Sequence, residues 1–180
     1  MTDQRRLTLA CLLPDGRAHK NAELAFAHHC GRFLAERGAV LIGDGARGET
    51  ADAFATGVSH GGGRLRVPVI GDAKPPRYPA PVEIVSVDTE VPAWLGQQAD
   101  GVMALAPGVG DLDRYFQTWL EAIGKPVLCV APGNEFRLIR GMVDEIVRPR
   151  RARAAQRVIF AASPEQGWEM LQNLLSEVSA

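Results

Sequence analysis

Cysteine is scarce in this chain: Cys11, Cys30 and Cys129 are the only three among 180 residues. Three scattered thiols cannot build a disulfide framework, and none forms a C-x-x-C pair, so neither a stapled scaffold nor a dithiol redox motif is indicated. Their apolar surroundings suggest buried free thiols in a reducing cytosol. Long apolar stretches are missing too. No window is long enough to cross a bilayer, and Met-Thr-Asp-Gln-Arg-Arg at the start lacks the apolar segment of a signal peptide. The expectation is a cytoplasmic protein with no membrane partner. An excess of one charge is likewise absent: the formal net charge is −1, which gives no footprint for nucleic acid. There is no G-x-S-x-G elbow for a nucleophilic serine. His28 and His29 have no cysteine or carboxylate at metal-ligand spacing, and His60 suits a helix C-terminus. No metal and no cofactor are expected.

What the chain does have is alternation. Hydrophobic residues make up 46% of it, enough for the core of a single domain over residues 1–180. Apolar runs at 7–13, 39–42, 65–70, 84–87, 101–106, 127–130 and 158–161 read as strands, several of them buried on both faces. Helical patterns lie between them at 22–37, 49–59, 88–98, 112–123 and 136–146, and a last one follows Ser163-Pro164-Glu165-Gln166. Asn21 is placed to cap the first helix and Asp111 the fourth, while Pro68 suggests a position near a sheet edge or bulge. Trp94, Trp119 and Trp168 lie on apolar helix faces, as core or dimer-interface residues. Strands and helices in strict alternation predict an α/β, Rossmann-like doubly wound parallel sheet of six to seven strands with helices on both faces. The proline-rich stretch 71–81 is a loop within it, and whether it orders over a pocket is left open by the sequence. The arginines from 148 to 157 read as a solvated connection or a phosphate patch.

In such sheets ligands sit beyond the carboxyl ends of the strands. Two loops there carry glycines that admit positive φ or close approach of a ligand: Gly43-Asp44-Gly45-Ala46-Arg47-Gly48, and Pro107-Gly108-Val109-Gly110 before Asp111. The first superficially matches G-x-G-x-x-G. About 20 residues on, where a dinucleotide's ribose needs an acidic partner, the chain has Gly63, Arg64 and Leu65. Asp44 suits either a ribose hydroxyl or a tight turn.

Together the two loops resemble the motifs of the LOG (Lonely Guy) family, often labelled "possible lysine decarboxylase", a Rossmann-like group related to molybdenum-cofactor carrier proteins. Its GGGxxGLMG motif is matched by Gly43 to Gly48, with Ala51 in place of the last glycine. Its PGGxGTxxE motif is matched from Pro107 through Gly108, Val109, Gly110 and Asp111 to Arg114. The resemblance implies a homodimer that binds a nucleotide or another phosphorylated small molecule over both loops. It also implies, for active members, a nucleoside 5′-monophosphate phosphoribohydrolase of cytokinin or AMP type. This chain departs where that chemistry lies: the catalytic Glu position holds Arg114, and the upstream Arg position falls near Val91. A guanidinium is no general base at neutral pH, and valine holds no anion. Asp113 or Glu90 would have to supply the carboxylate, and Arg114 or Arg47 the phosphate contact. The expectation is therefore a non-catalytic binder, with the phosphoribohydrolase and a ligandless scaffold as alternatives. Asp111 leaves two states open for the second loop, one holding an anion and one capped by its own carboxylate.

Overall fold

A computed structural model describes residues 6–16, 20–150 and 157–178 of the chain. Its centre is a seven-stranded, all-parallel sheet. The strands are β1 (Thr8–Leu12), β2 (Val40–Gly43), β3 (Leu65–Ile70), β4 (Val82–Val87), β5 (Gly101–Leu105), β6 (Val127–Val130) and β7 (Val158–Ala161). Their spatial order is β4-β3-β2-β1-β5-β6-β7. The chain builds outward from β1 to β4, then returns to the other side of β1 with β5. The doubly wound sheet expected from the alternation is thus present, with seven strands.

Side chains of β1 alternate between two cores, as strand geometry dictates. Leu9, Cys11 and Leu13 enter one core with α1 (Asn21–Glu36), α2 (Glu49–His60) and the last helix, α7 (Pro164–Val178). Ala10 and Leu12 enter the other with α3 (Val91–Gln98), α4 (Leu112–Glu121) and α5 (Arg137–Met142). Beyond α5 the helix widens into a π-type stretch, Val143–Val147, and continues into α6 (Arg148–Arg150). Residues 151–156, the middle of the arginine run, lie outside the described residues.

The structure bears on three local expectations. Asn21 is the first residue of α1 and not its cap; Lys20 holds that position without a side-chain hydrogen bond. Asp111 does hold the N-cap position of α4, but its carboxylate makes no cap bond to that helix, because a 3-10 turn (Val109–Asp111) precedes it and the side chain turns back to the Gly108 N–H. Pro68 lies near the sheet edge as expected, in β3 beside the edge strand β4; it pairs with Val85 of β4, and β3 meets the short β2 only at Ile42↔Arg66, so no bond to β2 is lost at Pro68. The last helix is capped as expected, Ser163 Oγ accepting the Gln166 N–H at 3.3 Å. Trp94, Trp119 and Trp168 pack partly buried against the cores.

All three cysteines are buried free thiols. Burial pushes the Cys129 thiol up to about 12, which makes it inert as a nucleophile. Helices α1 and α2 touch through their backbones. A Cβ on Gly31 would lie 2.3 Å from the Phe54 carbonyl oxygen, and one on Gly57 would lie 2.0 Å from that of His28. Among the described residues no helix is long and apolar enough to cross a membrane.

Candidate functional site

Strand order reverses between β1 and β5, so the crevice between their carboxyl ends is where this architecture places a ligand. Three loops converge there: the one after β1 (Leu13 to Gly16), the glycine loop after β2, and the glycine loop after β5. The β1 loop carries a site residue, Asp15, that reading along the chain passed over as part of a polar turn.

The crevice is filled from below by α4. The Tyr115 hydroxyl lies 2.9 Å from the Leu12 carbonyl oxygen and 3.0 Å from that of Leu105, joining the ends of β1 and β5. One residue earlier, the Arg114 guanidinium bonds to Asp44 Oδ2 at 2.5 Å, Asp111 Oδ1 at 2.8 Å and the Leu13 carbonyl at 2.9 Å. Asp15 is a fourth, looser neighbour at 3.5 Å. Three carboxylates thus surround one cation. Its planar fork of donors suits several acceptors at once.

Those carboxylates also take the backbone donors expected to face a ligand. Asp44 accepts the N–H groups of Leu13 and Ala46. Asp15 accepts that of Arg47. Asp111 Oδ2 accepts the Gly108 N–H at 2.8 Å, and its Oδ1 accepts that of Asp15 at 3.1 Å. The second loop is therefore in its self-capped state. No buried side-chain polar atom among the described residues lacks a partner. The N–H groups of Val109 and Gly110, which open the 3-10 turn, have no acceptor inside it. Val109 is 91% exposed, so this tip is the open part of the loop.

Asp44 is the most perturbed acid of the site. Burial pushes its carboxyl up to about 7 against the opposing pull of Arg114 and two N–H donors. Its side chain is fully covered, so it has no path to a bound substrate. The Arg114 guanidinium is held above its usual range by the surrounding carboxylates, against the pull of its own burial.

The glycines divide by role. Gly48, at φ 133°, is locked against Gly16: a Cβ there would sit 2.0 Å from the Gly16 carbonyl oxygen. Gly16 N–H donates to the Arg47 carbonyl, and Glu49 N–H to that of Gly16. Gly48 thus ties the first glycine loop to the β1 loop. Gly45, at φ 83°, has open space beside it, and Gly43 ends β2 against Leu65. The stretch 71–81 docks on this loop: the Tyr78 hydroxyl donates to the Ala46 carbonyl at 2.7 Å, and the Arg47 guanidinium reaches the Lys74 carbonyl at 3.4 Å.

Of the sequence candidates, Asp44, Asp111 and Arg114 form one network, with Arg47 and Gly108 attached to it. Asp113 lies on the exposed side of α4, bonded to Gln117 of its own helix. Glu90 is exposed at the start of α3 and Val91 begins that helix. Among the described residues no group of three or more His, Cys, Asp or Glu is placed to hold a metal ion.

No protein-family model matches this sequence, and no curated protein matches it. Solved structures do. A molybdenum cofactor binding protein from the phototrophic bacterium Rippkaea orientalis superposes with a TM-score of 0.67 at 15% identity, over 96% of this chain and 99% of that one. The molybdenum cofactor carrier protein of Chlamydomonas reinhardtii gives 0.65 at 16% identity over the same shares of the two chains. The protein TM1055 gives 0.67 at 19% identity, over 93% of this chain and 99% of its own. At these identities what is established is architecture: this chain has the α/β fold of those three proteins over almost its whole length.

Proposed function

We propose that this protein is a LOG-like, non-catalytic binder of a phosphorylated small molecule, held at the mouth of the β1–β5 crevice. The observation that carries this reading is Arg114. It stands where the resembling family has its catalytic glutamate, and it is tied to Asp44, Asp111 and the Leu13 carbonyl. No general base stands there, and the neighbouring acids are spent on internal bonds. The donors left for a phosphate are the Val109 and Gly110 N–H groups at the exposed tip and the exposed guanidinium of Arg47. An arriving phosphate competes with Asp111 for the same turn, which favours weak, reversible holding over tight capture.

Two of the structural relatives are described as binding or carrying the molybdenum cofactor, itself a pterin bearing a phosphate, which makes that cofactor a ligand to test beside AMP. The homodimer implied by the resemblance would use the C-terminal end of α4 and the turn after it, where Leu120 and Ile123 are 67% and 60% exposed.

The test is a thermal-shift and turnover series on the full chain with AMP, a cytokinin nucleotide and molybdenum cofactor. Binding at about 100 times Kd adds about 2.7 kcal/mol of stability. Arg47→Ala is expected to weaken that shift, and no free base is expected to appear. Release of adenine from AMP would overturn the non-catalytic reading. No shift with any of the three would leave a ligandless scaffold.

A further inference from the structure

Two strands away from the crevice, beyond the carboxyl ends of β6 and β7, lies an open cavity of about 280 Å³. We propose that it is a separate binding site for a small aromatic monocarboxylate. Its walls carry what such a ligand needs. Phe136 and Phe160 line it with ring centroids 6.4 Å apart and planes tilted by 60°; Phe136 is buried, so the half-buried Phe160 is the ring a ligand would meet. The Arg140 guanidinium lies 4.7 Å over the Phe160 ring. Among the described residues no carboxylate pairs with it, so its donors are free for a planar carboxylate in bidentate geometry.

The opposite wall is the first turn of α7, a helix of 15 residues whose positive end faces this edge of the sheet. There Gln166 Oε1 accepts the Ala162 N–H at 2.8 Å, which fixes the side chain and leaves its amide nitrogen as a donor at the cavity wall. Charge sets the ligand class. Glu135, next in sequence to the lining Phe136, is engaged elsewhere, its Oε2 accepting the Gly133 N–H at 2.9 Å. Arg140 is the one charged side chain among the described residues lining the cavity, so a single negative charge is what it balances; a dianionic phosphate would exceed it. The volume accommodates a bicyclic ring.

The experiment titrates 1-naphthoate into the full-length protein and follows backbone amides by two-dimensional NMR, with 1-naphthylmethanol as the uncharged control. Saturable shifts are expected at Gly133, Arg140, Ala162 and Gln166, and the alcohol is expected to bind at least tenfold more weakly. Arg140→Met keeps an unbranched stem over Phe160 while removing the charge, and is expected to weaken naphthoate at least tenfold with the melting temperature unchanged. Gln166→Leu, at an exposed position, is a second variant expected to weaken it several-fold. Equal binding of acid and alcohol, unchanged binding in both variants, or shifts confined to residues 47 and 108–110 would overturn the proposal. Shifts of Val109 and Gly110 on adding AMP report on the crevice and are scored independently.

Discussion

Arg114 and Arg140 each lie in the opening turns of the helix that follows a strand, after β5 and β6 respectively, on the same edge of one sheet. The first has a side chain 22% exposed and bonds to two carboxylates and a carbonyl, with a third carboxylate close by. The second is exposed, rests on an aromatic ring and has no carboxylate partner among the described residues. Burial explains the difference. A guanidinium drawn into the crevice must be compensated on all sides, and the compensation consumes the loop donors of both glycine motifs. A guanidinium left at a cavity wall stays hydrated and keeps its charge for something else. The crevice that topology marks for a ligand is thus largely filled from within, and the open volume lies beside it.

The largest expected effect breaks the filled side. Gly48→Ala puts a methyl group into the Gly16 carbonyl at a φ that L residues rarely adopt. It should cost more than about 3 kcal/mol in urea unfolding, whereas Gly45→Ala, with positive φ but free space, should cost about 1–2 kcal/mol. Next comes Arg114→Met, which leaves Asp44 and Asp111 without their cation. A loss of about 3 kcal/mol is expected, and Arg114→Lys should recover part of it by the same measurement. Arg140→Met on the open side should change stability by less than about 0.5 kcal/mol, and that contrast is what the comparison requires.

A subtler test uses pH. Asp44 titrates at about 7 in the folded chain and near the ordinary aspartate value of 3.8 when unfolded, so between those values the folded state binds the extra proton. Its contribution to stability is full below about pH 4 and is lost as pH rises through 7. Asp44→Asn should remove that downward slope from a series of melts between pH 4 and 8. An unchanged slope would assign it to other groups.

The parts legible in the sequence were those set by local pattern. Seven apolar runs gave seven strands, and Asp44, Asp111 and Arg114 stood out because glycines flank them or a family motif covers them. What the sequence hid depends on strand order. Asp15 sits in Pro14-Asp15-Gly16, which has the composition of any turn. Its meeting with Arg47 and Asp111 exists only because β2 and β5 both border β1. The direction of the Asp111 carboxylate turned on a 3-10 turn of three residues, too short to leave a periodic signal. Arg140, Phe136 and Phe160 belong to two elements that become neighbours only when β7 pairs with β6. Nothing in the local pattern marks Gly31 and Gly57 as the contact between α1 and α2, since that contact needs the two helices side by side.

That contact limits how the protein can adapt. With carbonyl oxygens of each helix seated where the other lacks a side chain, α1 and α2 cannot slide or rotate past one another without a collision. The slab they form carries the loops of Asp15 and Asp44 as a single body. Any accommodation of a guest must therefore come from the other half of the edge, through the turn at 106–111 or the one at 132–136.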